Sequence, residues 1–372
     1  MKPTSDVIII GAGLIGCAIA HRLASSGLQV TVVEKGQPGE EASRAAAGML
    51  APQAEDAHGL QNDMNEFCFA SHALYPEFVE QIAEESGLHV GYQTSGSIYA
   101  ASDYTEAKML AGLFERQIRA HKKAEELTPT QLKTVEPALA DSAETAVFLP
   151  DDHFVNNRQL LTALVTAASR KKVKFLSNTP VLALEIQKDK VDGVHIPGGI
   201  LRGHKIIIAA GSWSGLIDCR ERIVLPVRPI RGQIVCLQVK PQPLRHLIHS
   251  SGCYLVPWPD GRILVGSTVE NVGYNKQVSA EGVQQLLHSA LKIIPALASA
   301  TVADMWAGLR PDTPDNLPIL GETALDNLLV ASGHFRNGIL LAPLTAKLIA
   351  ELIVSGKTSL SLQPFRADRF DD

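Results

Sequence analysis

Residues 6–34 read DVIIIGAGLIGCAIAHRLASSGLQVTVVE. The β-branched run Val7–Ile10 empties into a glycine turn, the pattern of a buried strand. Gly11, Gly13 and Gly16 set a G-x-G-x-x-G spacing, and LIGCAIAHRLASS then predicts a helix stopped by Gly27. QVTVV is a second strand closing on Glu34, 18 residues after Gly16. Each part has a mechanical task. Gly11 permits the tight turn, Gly13 lets backbone approach a pyrophosphate, and Gly16 lets helix and strand pack closely. The helix start offers N–H groups and a positive dipole end to phosphates. Glu34 suits ribose hydroxyls, which disfavours a 2′-phosphate and hence NADP but leaves NAD and FAD open. The following GEEASRAAAGMLAPQ, residues 39–53, is rich in small residues that let backbone lie against a large flat ligand such as an isoalloxazine. A plain small-residue helix start is the competing explanation.

The rest of the composition narrows the function classes. Among 372 residues, 34 are Lys or Arg and 39 are Asp or Glu, for a net charge of −5 without a basic block. That argues against nucleic acid as a partner. A chain 45% hydrophobic and 20% charged suits a soluble protein of two domains, or one large α/β domain with an inserted partner. Five scattered cysteines without C-x-x-C spacing suggest neither disulfides nor zinc, so a reducing cytoplasm is expected. The twelve histidines form no metal-like helical pair, and no metal is expected. LIGC at 14–17 imitates a lipoprotein processing box, but Asp6 abuts the apolar run and glycines break it. No uninterrupted apolar run of 18 residues occurs, so a membrane span is not expected.

Further along, residues 65–87 have helical spacing, GSIYAAS reads as a strand, and 103–136 read as largely helical. NNRQLLTALVTAASRKK predicts an amphipathic helix capped by Asn156 or Asn157. VKFLSNTPVLALEIQ and GVHI read as strands, and HKIIIAAGSWSG repeats the strand-into-glycine-turn pattern. LPVRPIRGQIVCLQV and CYLVPWPDGRILVGSTVE alternate like antiparallel strands, the latter hinged at Pro259-Asp260-Gly261. The final NLLVASGHFRNGILLAPLTAKLIAELIVSGK reads as strand, Gly333 turn and apolar helix. The expected fold is α/β, α+β overall: a Rossmann-type nucleotide domain, discontinuous at 1–87, 150–215 and 320–372. Segments 88–149 and 216–319 build an inserted antiparallel-sheet substrate domain.

Two arginines stand in apolar, turn-rich surroundings: Arg310 in MWAGLRPDTPDNLPILGE and Arg336 in GHFRNGILLAP. An unpaired buried guanidinium costs several kcal/mol, so each needs an anion. For Arg310 the choice lies between a structural pair with Asp312 or Asp315 and a clamp on a substrate carboxylate. Arg336 has a similar choice between clamp and brace.

VIIIGAGLIGCAIAHRLASSGLQVTVVEK, AAAGMLAP, AAGSWSG, CYLVPWPDGRILVGST, WAGLRPDTPDNLPILG and GHFRNGILLAP together resemble the D-amino-acid-oxidase-like family of FAD amine oxidoreductases. Within it, the resemblance is strongest to the glycine oxidase branch of thiamine biosynthesis, and it covers nearly the whole chain. It implies noncovalent FAD in contact with Gly11, Gly13, Leu14, Ile15, Gly16, Glu34, Lys35, Ala42, Ser43, Ala47, Gly48 and Met49. Val181, through its backbone, and Gly211 would complete that surface. Gly333, His334, Phe335, Arg336, Asn337, Gly338, Ile339 and Leu340 would wrap the reactive end. Arg310 and Tyr254 would hold the substrate carboxylate, with Arg336, Met49 and Val269 nearby. Val269 stands where some relatives carry methionine, which bears on side-chain size. The implied reaction is hydride transfer from the Cα of a small amino acid to flavin N5, with oxygen as acceptor. It gives an imino acid and hydrogen peroxide, and supplies dehydroglycine for the thiamine thiazole. The resemblance also implies a homotetramer. The rivals are a sarcosine or D-amino-acid oxidase, a quinone-linked D-amino-acid dehydrogenase, an NAD-dependent dehydrogenase and a non-catalytic nucleotide-binding regulator.

Overall fold

A computed structural model describes residues 5–56, 62–101, 103–139, 143, 145–219, 222–250 and 252–371. Five parallel strands form its nucleotide-side core, in the order Leu328–Ser332, Gly199–Ile208, Ser5–Ile10, Val30–Val33 and Lys174–Leu176. Parallel sheets are covered on both faces, which is why Val7–Ile10 is apolar without alternation. Val7 and Ile9 pack with the helices Leu14–Ser25, Asn157–Arg170 and Ala342–Ser355, whereas Ile8 and Ile10 face Leu184, Val191 and Val194. The latter belong to an antiparallel meander, Ala183–Gln187, Lys190–Ile196 and Gly199–Ile208, whose last strand continues into the parallel core. Asn156 is the helix cap, accepting the Gln159 N–H at 3.2 Å.

The second sheet has eight strands, in the order Thr301–Asp312, Arg228–Gln238, Arg262–Gly266, Tyr254–Pro257, Leu247–His249, Ser97–Ala101, Thr145–Leu149 and Glu125–Leu127. It is antiparallel except at one seam, where Leu247–His249 lies parallel to Ser97–Ala101. That seam joins strands from two widely separated stretches of chain. The helix Ala280–Ile293 covers one face, while Ile234, Val256 and Leu264 on the other meet Ala47 and Phe154.

Three expectations change. Residues 65–87 fold as two helices, Asn62–Ala73 and Tyr75–Ser86, because Pro76 lacks an N–H and cannot continue a helix interior. The stretch 103–136 contains a strand, Glu125–Leu127, between helices Tyr104–Arg119 and Pro129–Val135. The turn-rich surroundings of Arg310 are the end of a 12-residue strand, Thr301–Asp312. It tolerates Pro311 because it lies at the sheet edge. GSIYAAS forms the strand Ser97–Ala101; its Ser102 lies outside the described residues. LIGC sits inside the helix Leu14–Ser25.

A three-stranded sheet, Met49–Leu50, His153–Val155 and Tyr92–Gln93, pins the small-residue stretch in place. Gly48, at φ +86°, lets it approach so closely that a Cβ there would lie 1.9 Å from the Val155 carbonyl oxygen. Beside it, buried Asp152 accepts N–H bonds from Gln53 (2.9 Å) and Ala54 (3.2 Å) and the Ser97 hydroxyl (2.7 Å). Burial outweighs these donors and pushes its carboxyl up to about 7. A raised folded-state value means that its contribution is complete below the unfolded-state pKa and is lost as pH rises towards 7. The expected loss is on the order of 4 kcal/mol. Urea titrations of wild type and Asp152→Asn between pH 4 and 8 check this. The stability advantage of wild type should shrink as pH rises; a pH-independent difference would contradict it.

Candidate active site

The phosphate turn follows from close backbone contacts. Gly11 has φ +108°, and a Cβ there would lie 2.4 Å from the Ala209 carbonyl oxygen. A Cβ on Gly16 would lie 2.0 Å from the Gly11 oxygen, so helix and strand touch through backbone. Gly13 caps the helix with no side chain of its own. The Leu14 N–H instead donates to Ser43 Oγ at 2.8 Å. Glu34 accepts N–H bonds from Ala12 (2.8 Å) and Gly36 (2.9 Å). The motif, the acid and the small-residue stretch thus form one surface.

That surface begins a cavity of about 520 Å³ between the two sheets. Glu34, Lys35 and Val181 line it, as do Gly11, Gly13, Leu14, Ile15, Ala42, Ser43, Ala47, Gly48, Met49 and Gly211. His334, Phe335, Arg336, Asn337, Gly338, Ile339 and Leu340 line it too, together with Tyr254, Val269 and Arg310. Gly16 and Gly333 do not line it. Gly16 is used up in backbone packing, and Gly333 turns the chain, at φ +74°, against Thr313. Lys35 places its ammonium 3.2 Å from the centre of the Trp213 ring.

Within this cavity, Arg310 Nη1 donates to the Thr268 carbonyl (3.1 Å) and Nη2 to Ser267 Oγ (2.5 Å). Asp312 is occupied by Arg228 at 2.8 Å, and Asp315 by Arg369 at 2.7 Å. The ion-pair alternative for Arg310 is therefore excluded. Among the described residues no carboxylate pairs with this guanidinium. Burial pushes its pKa down, offset in part by the Tyr254 phenol beside it. Burial pushes the phenol up more than Arg310 and Ser267 pull it down, so Tyr254 is an O–H donor at neutral pH.

Arg336 differs. Its Nε lies 3.2 Å from Glu55 Oε2, and Asn337 Nδ2 donates to the same oxygen at 3.4 Å. Its charge is matched within the wall. His334 is buried, contacts Thr345 Oγ1 at 3.1 Å, and is pushed by burial down to about 3. The Phe335 N–H donates to the Pro311 carbonyl at 2.8 Å, which ties this turn to the strand carrying Arg310. Ser267, Glu55, Trp213, and the stacked pair Tyr99 and His249 line the cavity without having been picked out in the sequence. Ser267 carried a local signal, standing directly after the hairpin strand ILVG, as did Trp213 in the glycine turn AAGSWSG. Among the described residues, no group of three His, Cys, Asp or Glu side chains could hold a metal. All five cysteines are free and buried.

The FAD dependent oxidoreductase family model matches residues 6–352. The chain belongs to the FAD dependent oxidoreductases. Among this family's members, the bifunctional protein ThiO/ThiG of Synechocystis sp. is 37% identical over 380 residues, covering 100% of this chain and 55% of that protein. The chain thus spans about half the length of the first cyanobacterial relatives it matches. A glycine oxidase of Geobacillus kaustophilus is 35% identical, covering 98% of this chain and 97% of that protein. The crystal structure of glycine oxidase from that organism superposes with TM-score 0.94 at 33% identity, covering 98% of each chain. The L-proline dehydrogenase from P.horikoshii superposes with TM-score 0.89 at 26% identity, covering 100% of this chain and 99% of that one. The family's FAD fits the residues present. Small-residue backbone, a phosphate turn and an acid at ribose distance in sequence all face one continuous cavity. No helix among the described residues is long and apolar enough to cross a membrane.

Proposed function

We propose that the protein oxidises glycine and other small amino acids or amines at the Cα–N bond, giving the imino acid and, with oxygen as acceptor, hydrogen peroxide. One observation carries the reading. The cavity that Glu34 lines also holds a guanidinium that pairs with no carboxylate among the described residues, beside a protonated phenol. A planar guanidinium grips a carboxylate through two parallel charge-assisted bonds, which lysine cannot copy. When bound, FAD supplies a hydride acceptor that oxygen regenerates. Arg310 and Tyr254 fix the carboxylate and so aim the substrate Cα into the cavity, and catalysis is chiefly orientation. The turn His334–Leu340 closes the wall; the Phe335 and Asn337 N–H groups are spent on the Pro311 and His334 carbonyls, so any N–H stabilisation of developing negative charge falls to the rest of the turn. No side-chain base is assigned. His334, at about 3, is a poor proton acceptor at neutral pH, and Glu55 is engaged by Arg336. The ammonium therefore loses its proton to solvent before the hydride leaves.

In this reading segments 1–87, 150–215 and 320–372 carry FAD, and 88–149 and 216–319 carry substrate contacts. The similarity to ThiO/ThiG proteins supports delivery of the imino acid to thiazole formation in thiamine synthesis. The free buried cysteines support a cytoplasmic setting. A homotetramer is the proposed assembly, to be measured by light scattering. Val269 is 68% exposed at the cavity, so the substrate side is not tightly closed and N-substituted amines belong in the same assay. The test is anaerobic addition of glycine, sarcosine and D-alanine to the purified flavoprotein. Bleaching of the visible flavin band by glycine is the expected result. Bleaching only by the others would move the substrate class, and none by any would remove the oxidase reading.

A further inference from the structure

Arg310 has five N–H donors in one plane, and its usefulness as a clamp depends on how that plane is turned. Two consecutive residues turn it: Thr268 through its carbonyl and Ser267 through its hydroxyl. The Tyr254 phenol is its third partner. On one side lies Gly232, where a Cβ would fall 2.2 Å from Nη2 and 2.3 Å from Nη1. On that side the guanidinium therefore lies against bare backbone, and no Gly232 side chain limits its rotation. Gly266 likewise leaves room for the Tyr254 ring, since a Cβ there would lie 2.4 Å from the phenol oxygen. Ser267 follows Gly266 directly, lines the same cavity, and bonds to both partners of the proposed grip.

We propose that Ser267 is a positioning residue: its hydroxyl accepts an Arg310 N–H, fixes the guanidinium plane over Gly232, and thereby presents the remaining N–H groups to the substrate carboxylate. This rests on reading Arg310 as the carboxylate clamp. The hydroxyl acts through Arg310, so removing it should weaken every carboxylate ligand alike, whether or not that ligand carries an amine.

The test compares wild type, Ser267→Ala, Ser267→Thr and Ser267→Cys as FAD-loaded proteins. Two quantities are measured: kcat and KM for glycine, and the calorimetric Kd for glycolate, a carboxylate without an amine. Losing a charge-assisted bond should raise both KM and Kd roughly tenfold in Ser267→Ala, while kcat stays within about twofold. Ser267→Thr keeps the hydroxyl and should restore both to within about threefold. Ser267→Cys keeps the volume but offers a weak acceptor, and should resemble Ser267→Ala. If Ser267→Ala does not fold, the Thr and Cys pair decides. Equal binding by all variants would overturn the role of Ser267 while leaving the clamp intact. So would a fall in kcat at unchanged glycolate affinity. A wild type that binds no glycolate and is reduced by no amine would overturn the clamp itself, and the role of Ser267 with it.

Discussion

Arg310→Ala is expected to lower kcat/KM for glycine by roughly two to three and a half decades, equivalent to about 3–5 kcal/mol. The size follows from the surroundings. The guanidinium is half-buried, held by a carbonyl and a hydroxyl, and has no carboxylate of its own among the described residues. On the proposed reading a substrate carboxylate would be its strong anionic partner, and would itself be left unpaired on truncation. Arg310→Lys should recover only part of the loss, because a point charge cannot make the two parallel bonds. Stopped-flow reduction at several glycine concentrations separates affinity from hydride transfer. A loss below about 1 kcal/mol, typical of an exposed pair, would contradict the clamp.

Gly11→Ala should abolish tight FAD binding. Two costs combine at that position. The backbone stands at φ +108°, and the new Cβ would meet the Ala209 carbonyl oxygen at 2.4 Å. The conformational strain alone is about 1–3 kcal/mol. The clash also forces apart the strands Ser5–Ile10 and Gly199–Ile208 where they end at the phosphate turn. The flavin Kd is expected to rise at least about a hundredfold. Gly27→Ala is the matched control. Its φ of +86° carries similar strain, but nothing lies within 4 Å of a Cβ there. Flavin fluorescence titration should show near-normal affinity in the control; equal losses in both variants would mean that strain, and not close backbone approach, sets the effect.

The parts of this molecule legible in its sequence are those specified by neighbours along the chain. The run Val7–Ile10, the glycine turn, the helix after it and Glu34 form one continuous unit, and their spacing carries the geometry. The Pro259–Gly261 hairpin and the Gly333 turn are local in the same way. What escaped was long-range. Whether Arg310 meets Asp312 depends on Arg228, 84 positions away, which captures that carboxylate first. Asp315 is captured by Arg369, 54 positions on. Glu55 sits in a five-residue helix with no periodicity to mark it, and reaches Arg336 only through the folded chain. The strand Thr301–Asp312 was hidden because its end carries a proline, acceptable only at a sheet edge, and edges are a property of the whole sheet.

The order in which the strands are made has a consequence for biogenesis. Ser5–Ile10 lies two strands from Leu328–Ser332 across Gly199–Ile208, so a growing chain must wait more than 300 residues for the sheet to gain that neighbour. The antiparallel sheet waits similarly, since Ile98 pairs alongside Ile248. Non-local pairing of this kind slows folding and leaves apolar edges open meanwhile. The wall His334–Leu340 lies beyond even the last of these strands. FAD therefore meets a complete binding surface only after nearly all of this sequence has been synthesised. It then acts as a late ligand that draws the folded population forward by mass action. Riboflavin supply during expression would accordingly set how much of the newly made chain is rescued from aggregation.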